Sequence, residues 1–271
     1  MAKPEKLFVI VNPTLDKHVA LERAIQIANS VSVKPQIVVF VSVDSTRVED
    51  KPSNKKLHRD SGWLEREICD PLKLNNVNFD ILFSWCSNWA DSLVQVAESV
   101  GATMILMRRT PTIASYFQFN FGKWNLFKNS KCPVLLVNGE AMTETGVVLA
   151  AVKWQTHDGE QKLLNRKILE SAKAASTWCS NELHVVNAYK DSLSHPDRGS
   201  LWRSAGVANS NIHIIQGQST NVIASVAIGT EANLVVVGTK GHSYRSSKIH
   251  PAIIERLLSL IDVDVLVVNS K

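Results

Sequence analysis

The stretch "SLVQVAESVGATMILM", residues 92–107, lies without a gap on "VIASVAIGTEANLVVV", residues 222–237. Each opens as an amphipathic run, passes a short turn and ends in a continuous apolar segment, the pattern of a helix leading into a buried strand. The match extends in both directions. "KCPVLLVN" (131–138) reads against "DVDVLVVN" (262–269), "LFVIVN" (7–12) against "VLAAVK" (148–153), and "IVVFVSVD" (37–44) against "LHVVNAYK" (183–190). The 271-residue chain is therefore a repeat of two units, divided at the polar segment "GEAMTETG" (139–146). The boundaries expected are 1–142 and 143–271.

Within each unit, short β-branched runs alternate with longer amphipathic stretches, which predicts a parallel sheet with crossover helices. Strands are expected at 7–11, 36–43, 79–84, 103–107 and 133–137 in the first half. The run "LERAIQIANSV" should bury Leu21, Ala24, Ile25 and Ala28. "SLVQVAESVG" should bury Leu93, Val96, Ala97 and Val100, with Ser92 as N-cap and Gly101 just past the end. Strands apolar on both faces need helices on both sides, so the expected fold class is α/β, two tandem doubly wound five-stranded parallel-sheet domains. The connection after the second strand is shortened in the second half to about twenty residues, with a turn of helix expected around Leu201–Ala205.

Composition narrows the function classes. Hydrophobic residues make up 45% and charged residues 20% of the chain, as in a globular protein with a sizeable core. The first apolar run, Leu7–Val11, is too short for a signal peptide or a membrane span. Cys69, Cys86, Cys132 and Cys179 show no metal-site spacing and read as reduced thiols, so a cytoplasmic location is expected and no metal. A net charge of +5 from 30 Lys+Arg against 25 Asp+Glu is a mild excess, and basic patches interleaved with exposed aromatics are lacking. Nucleic acid is not an expected partner, and neither is membrane insertion.

Two segments draw chemical attention. "LVVVGTKGHSYRSSKIHPA" (234–252) runs from an apolar strand into Gly238, Thr239, Lys240, Gly241, His242 and Ser243, with Lys248 further on. Such a turn can bring backbone N–H groups or basic side chains to an anion; the plain alternative is a solvated basic loop. "SYFQFNFGKWNLF" (115–127) holds six aromatics between Tyr116 and Phe127, including Trp124, against 18 in the chain. That density suits either an apolar pocket wall or packing. Trp85 and Trp89 flank the turn after the third strand. His184 and His213 fall on adjacent expected strands without a third metal ligand.

The chain resembles the universal stress protein family. "VIVNPTLDKHVALERAI", "WCSNWADSLVQVA" and "KWNLFKNSKCPVLLV", with the repeated five-stranded plan, are similar to tandem members of the universal stress protein E type. The resemblance covers essentially the whole chain and implies an adenine nucleotide alpha hydrolase-like fold. In single-domain relatives the last strand makes the dimer. The resemblance thus implies a pseudo-dimer within one chain through Cys132–Val137 and Val263–Val268, with a homodimer left open.

Nucleotide-binding members carry an acid after the first strand. After the fourth strand they have glycine, two residues, glycine, nine residues, then glycine and a hydroxyl residue. Here Lys153 and Asn12 stand at the acidic positions, Pro251 and Ala252 replace the last pair, and "MRRTPT" after the first half's fourth strand has no glycine. Proline offers no N–H and alanine no hydroxyl. The resulting expectation is a non-catalytic stress-response protein binding a small anionic or amphipathic ligand through the Gly238–Ser243 turn, Lys248, Lys153, Trp85 and Trp124. No cofactor is expected. The alternative is a weak adenine-nucleotide switch or ATPase using the second domain.

Overall fold

Among the described residues, ten β-branched, mostly apolar runs form strands, five in each of the two compact units into which the chain divides. The computed structural model describes residues 5–44, 61–86, 89–109, 126–127, 129–139, 146–178, 181–240 and 253–270. The first unit contains β1 (Lys6–Val11), α1 (Val19–Ser30), β2 (Gln36–Asp44), α2 (Asp70–Leu74), β3 (Phe79–Cys86), α3 (Trp89–Ser99), β4 (Met104–Arg108) and β5 (Val134–Val137). The second contains β6 (Val147–Val152), α4 (Gly159–Trp178), β7 (Glu182–Tyr189), α5 (Arg198–Ala205), β8 (Ile212–Gln216), α6 (Ser219–Gly229), β9 (Ala232–Thr239), α7 (Ile253–Leu258) and β10 (Asp264–Asn269).

The first unit's strands lie in the order β3-β2-β1-β4-β5 and the second's in the order β8-β7-β6-β9-β10, one plan used twice. Every pairing within each unit is parallel. Both are doubly wound sheets whose order reverses between the first and fourth strands, where α/β proteins place ligands. The central strands are buried on both faces, as their unbroken apolar runs require: Phe8, Val9, Val148, Leu149 and Val235 are fully inaccessible. Phe8 and Phe40 meet at 5.2 Å between ring centroids.

The repeat extends to backbone detail. Gly101 (φ 70°) and Glu231 (φ 50°), which align in the sequence match, both take the left-handed conformation between helix and strand. After α3, Ala102 N–H donates to Ala97 O and Gly101 N–H to Glu98 O, the paired bonds of a Schellman stop.

Local detail departs from expectation in places: on α3, Leu93 and Ala97 are buried but Val96 and Val100 only half-buried. Ser92 is no N-cap, because β3 runs to Cys86 and α3 starts at Trp89, which puts Ser92 inside the helix. In α1 the buried face takes in Arg23 and Ile27, while Ile25 is half-buried. The charged connection of the first half passes through a wide helical segment, Glu65–Cys69, before α2. In the second half, α5 is a capped helix of eight residues. The Asp197 carboxylate accepts from the N–H groups of Gly199 and Ser200, and Gly206 (φ 65°) ends it. Among the described residues no helix is long and apolar enough to cross a membrane.

Candidate functional site

The strand-order reversal of the second unit lies between β6 and β9. Lys153 follows β6, Thr239 ends β9 and Lys240 follows it, so three expected site residues flank the reversal. Two buried asparagines hold the chain after β6. Asn165, on α4 and 1% exposed, accepts from Lys153 N–H (3.2 Å) and donates to Lys153 O (2.7 Å). Asn187, on β7 and 2% exposed, accepts from Trp154 N–H (2.7 Å). Polar side chains buried with their partners satisfied make a rigid turn, which leaves the Lys153 side chain exposed at its apex.

Helix α4 begins beside this turn. The Asp158 carboxylate accepts from Glu160 N–H (3.0 Å), while its carbonyl takes the first helical bond from Lys162 N–H (3.0 Å), the two features of an N-cap. The same carboxylate forms an ion pair with the Lys240 ammonium, 82 residues away. That hydrogen bond, joined by the backbone donors at Glu160 and Gln161, holds the Asp158 carboxyl below its ordinary value despite partial desolvation. The first cation of the basic loop is thus already matched by a carboxylate of its own chain. Sequence reasoning found only donors along this edge and missed Asp158; the signal was "THDGEQ", an Asp preceding a helix.

Gly238 lies within β9, paired with Val268 of β10. A Cβ there would sit 2.7 Å from Leu164 Cγ and 2.7 Å from Ile168 Cδ1, both on α4. The close approach of α4 to the sheet is reason enough for glycine at this position. Ser270 completes the edge: its N–H donates to Thr239 O (3.2 Å), its carbonyl accepts from Lys167 Nζ (3.1 Å) and its hydroxyl donates to Glu160 Oε1 (2.8 Å).

Gly241, His242, Ser243, Lys248 and Trp124 lie outside the described residues, as do Pro251, Ala252 and the linker at 140–145. Trp85 falls on β3 opposite Val43. In the first unit Asn12 is committed locally, its Oδ1 accepting from the N–H (2.9 Å) and hydroxyl (2.8 Å) of Thr14. Arg109 is 9% exposed; its N–H donates to Val137 O (2.8 Å) and its guanidinium to Asn138 Oδ1 (3.4 Å).

His184 and His213 do meet, through each other. His184 Nδ1 is 3.0 Å from His213 Nε2 and the rings stack at 5.2 Å. Burial pushes His213 down, reinforced by His184 and Arg198. An Asn211 hydrogen bond (2.6 Å) holds the Glu182 carboxyl low. Among the described residues no three His, Cys, Asp or Glu side chains gather as a metal would need.

The solved structure of a universal stress protein from Archaeoglobus fulgidus matches with a TM-score of 0.74 at 15% identity, covering 97% of this chain and 96% of the other. A functionally unknown Pseudomonas aeruginosa PAO1 protein matches at 0.77 and 20%, covering 98% and 92%. The fold is that of the universal stress proteins. In sequence, universal stress protein E of Escherichia coli K12 is 22% identical over 303 alignment positions, covering 99% of this chain and 95% of the relative. The likeness runs along nearly the whole of both chains, and with the shared fold it makes this chain similar to the universal stress proteins, the E type in particular. No protein-family model matches the chain.

Proposed function

We propose that this chain is a non-catalytic, cytoplasmic stress-response protein that binds a small anionic or amphipathic ligand at the C-terminal edge of its second sheet, on a degenerate nucleotide motif. The observation that carries the reading is the Lys240–Asp158 ion pair beside β9. An incoming phosphate has to compete with a carboxylate already seated against the loop's first cation and the start of α4. Three further features agree. Lys153 stands where nucleotide-binding relatives have an acid, Pro251 and Ala252 replace a glycine and a hydroxyl, and Gly238 has a packing reason to be glycine. The proposed ligand residues at that edge are those of the Gly238–Ser243 turn with Lys248 and Lys153; Trp85 and Trp124, in the first unit, are proposed as ligand contacts of that unit taken by itself.

Native mass spectrometry of the purified protein is expected to show co-purified mass other than nucleotide. ATP at millimolar concentration should leave the melting temperature unchanged, since a ligand at one hundred times its Kd adds about 2.7 kcal/mol. A rise of several degrees supports instead the second reading, an adenine-nucleotide switch in the second unit. The K153D/P251G/A252S variant separates the two further. Restored ATP binding marks the site as a lapsed nucleotide cradle, and continued indifference marks one rebuilt for another ligand.

A further inference from the structure

Beside this edge, α4 and α5 flank a groove of about 600 Å³ in the second unit. Its lining includes Trp154, Lys162, Arg166, Glu170, Lys173 and Ser200. We propose that this groove binds a small aromatic anion, a planar ring carrying a carboxylate or a phosphate, independently of the reading of the sheet edge.

The aromatic wall is held in place before any ligand arrives. Trp154 N–H is bound to Asn187 Oδ1 at 2.7 Å, and its indole Nε1–H donates to Ser200 Oγ on α5 at 2.6 Å. The indole is thereby fixed at its backbone and at its far edge, and a ring so constrained loses little entropy on binding. Buried Leu169 and Asn165 also line the groove. The volume suits a molecule of a few rings at most.

The charge is supplied by α4. Lys162 and Arg166 stand one turn apart on one helix face, so both reach the same stretch of groove. Among the described residues neither has an ion-pair partner, and Glu170, one turn beyond Arg166, engages neither. Lys173 is spent differently, its ammonium donating to Ser204 O (3.5 Å) near the end of α5. Two uncommitted cations beside a fixed indole make a site with a charged end and a flat apolar wall. A guanidinium pairs bidentately with carboxylate or phosphate, which favours an anionic head at Arg166. Glu170 discourages a second negative charge further along.

The test is calorimetric titration with indole-3-acetate and phenyl phosphate, against 3-methylindole and inorganic phosphate as the ring-only and charge-only probes. At least one aromatic anion should bind one-to-one with Kd below about 1 mM, and the ring-only and charge-only probes at least about tenfold more weakly. Which aromatic anion wins tells carboxylate from phosphate. The K162Q/R166Q variant, changed only at exposed helix positions, should retain its melting temperature and lose about tenfold or more in affinity. E170Q should bind severalfold more tightly. Failure of both aromatic anions to bind overturns the proposal. So does equal binding of 3-methylindole, or unchanged affinity in K162Q/R166Q.

Discussion

A Cβ placed on Gly238 would lie 2.7 Å from Leu164 Cγ, closer than real side chains approach. The glycine in the loop that most resembles a phosphate cradle is also the one against which α4 packs. Overpacking of this kind costs about 1–3 kcal/mol. G238A should therefore lower the midpoint of urea unfolding with an unchanged m-value, and G238A combined with L164A, which makes room, should lose less than the two single losses together. A simple sum of the two single effects in the double variant refutes the packing account. Loss of ligand binding in a Gly238 variant has to be judged beside its stability.

The Lys240–Asp158 pair leads to a second expectation. D158N keeps an oxygen for the helix N-cap and removes the charge that matches Lys240. Inorganic pyrophosphate should then bind measurably more tightly than to the parent, with little change in melting temperature. Because the Asp158 carboxyl is held low, the pair's contribution is complete above the unfolded carboxylate range and is lost only as pH falls through the lower folded value. Pyrophosphate affinity equal in the two proteins would show that Asp158 does not compete for the loop.

The stacked imidazoles set a pH dependence. His213 is held below its ordinary value by burial and then by His184 and Arg198, so the unfolded chain takes up the proton more readily than the folded one. Stability from this group is whole above about pH 6.5, the unfolded histidine value. It declines as pH falls and levels off below the folded pKa. H213Q should flatten urea stability between about pH 7 and pH 5. A variant whose stability falls as steeply as the parent's assigns the dependence elsewhere.

At Glu231 the backbone is left-handed (φ 50°) at the position where the first unit has Gly101. A non-glycine residue there costs about 1 kcal/mol. E231G should accordingly raise the melting temperature by about 2–4 °C. A fall would mean that the Glu231 side chain contributes more than its backbone strain costs.

The repeat, the strand positions and the α/β class were legible because they follow from local periodicity. A strand buried on both faces must be apolar throughout, and a helix on a sheet must be apolar on one side, wherever the rest of the chain lies. The gap-free match of 92–107 to 222–237 carried even the left-handed turn. The site was legible only in part. Lys153, Thr239 and Lys240 fall at the ends of β6 and β9, where strand positions alone put them. The role of Gly238 depends on a helix some seventy residues earlier, and the charge state around Lys240 on a carboxylate 82 residues away. Asn165 and Asn187 look like ordinary surface residues in sequence, yet both are buried and hold the Lys153–Trp154 turn. Periodicity is a property of neighbours in the chain and can be read from it. Close approach, ion pairing and the satisfaction of buried polar groups belong to neighbours in space, and those the tertiary structure decided.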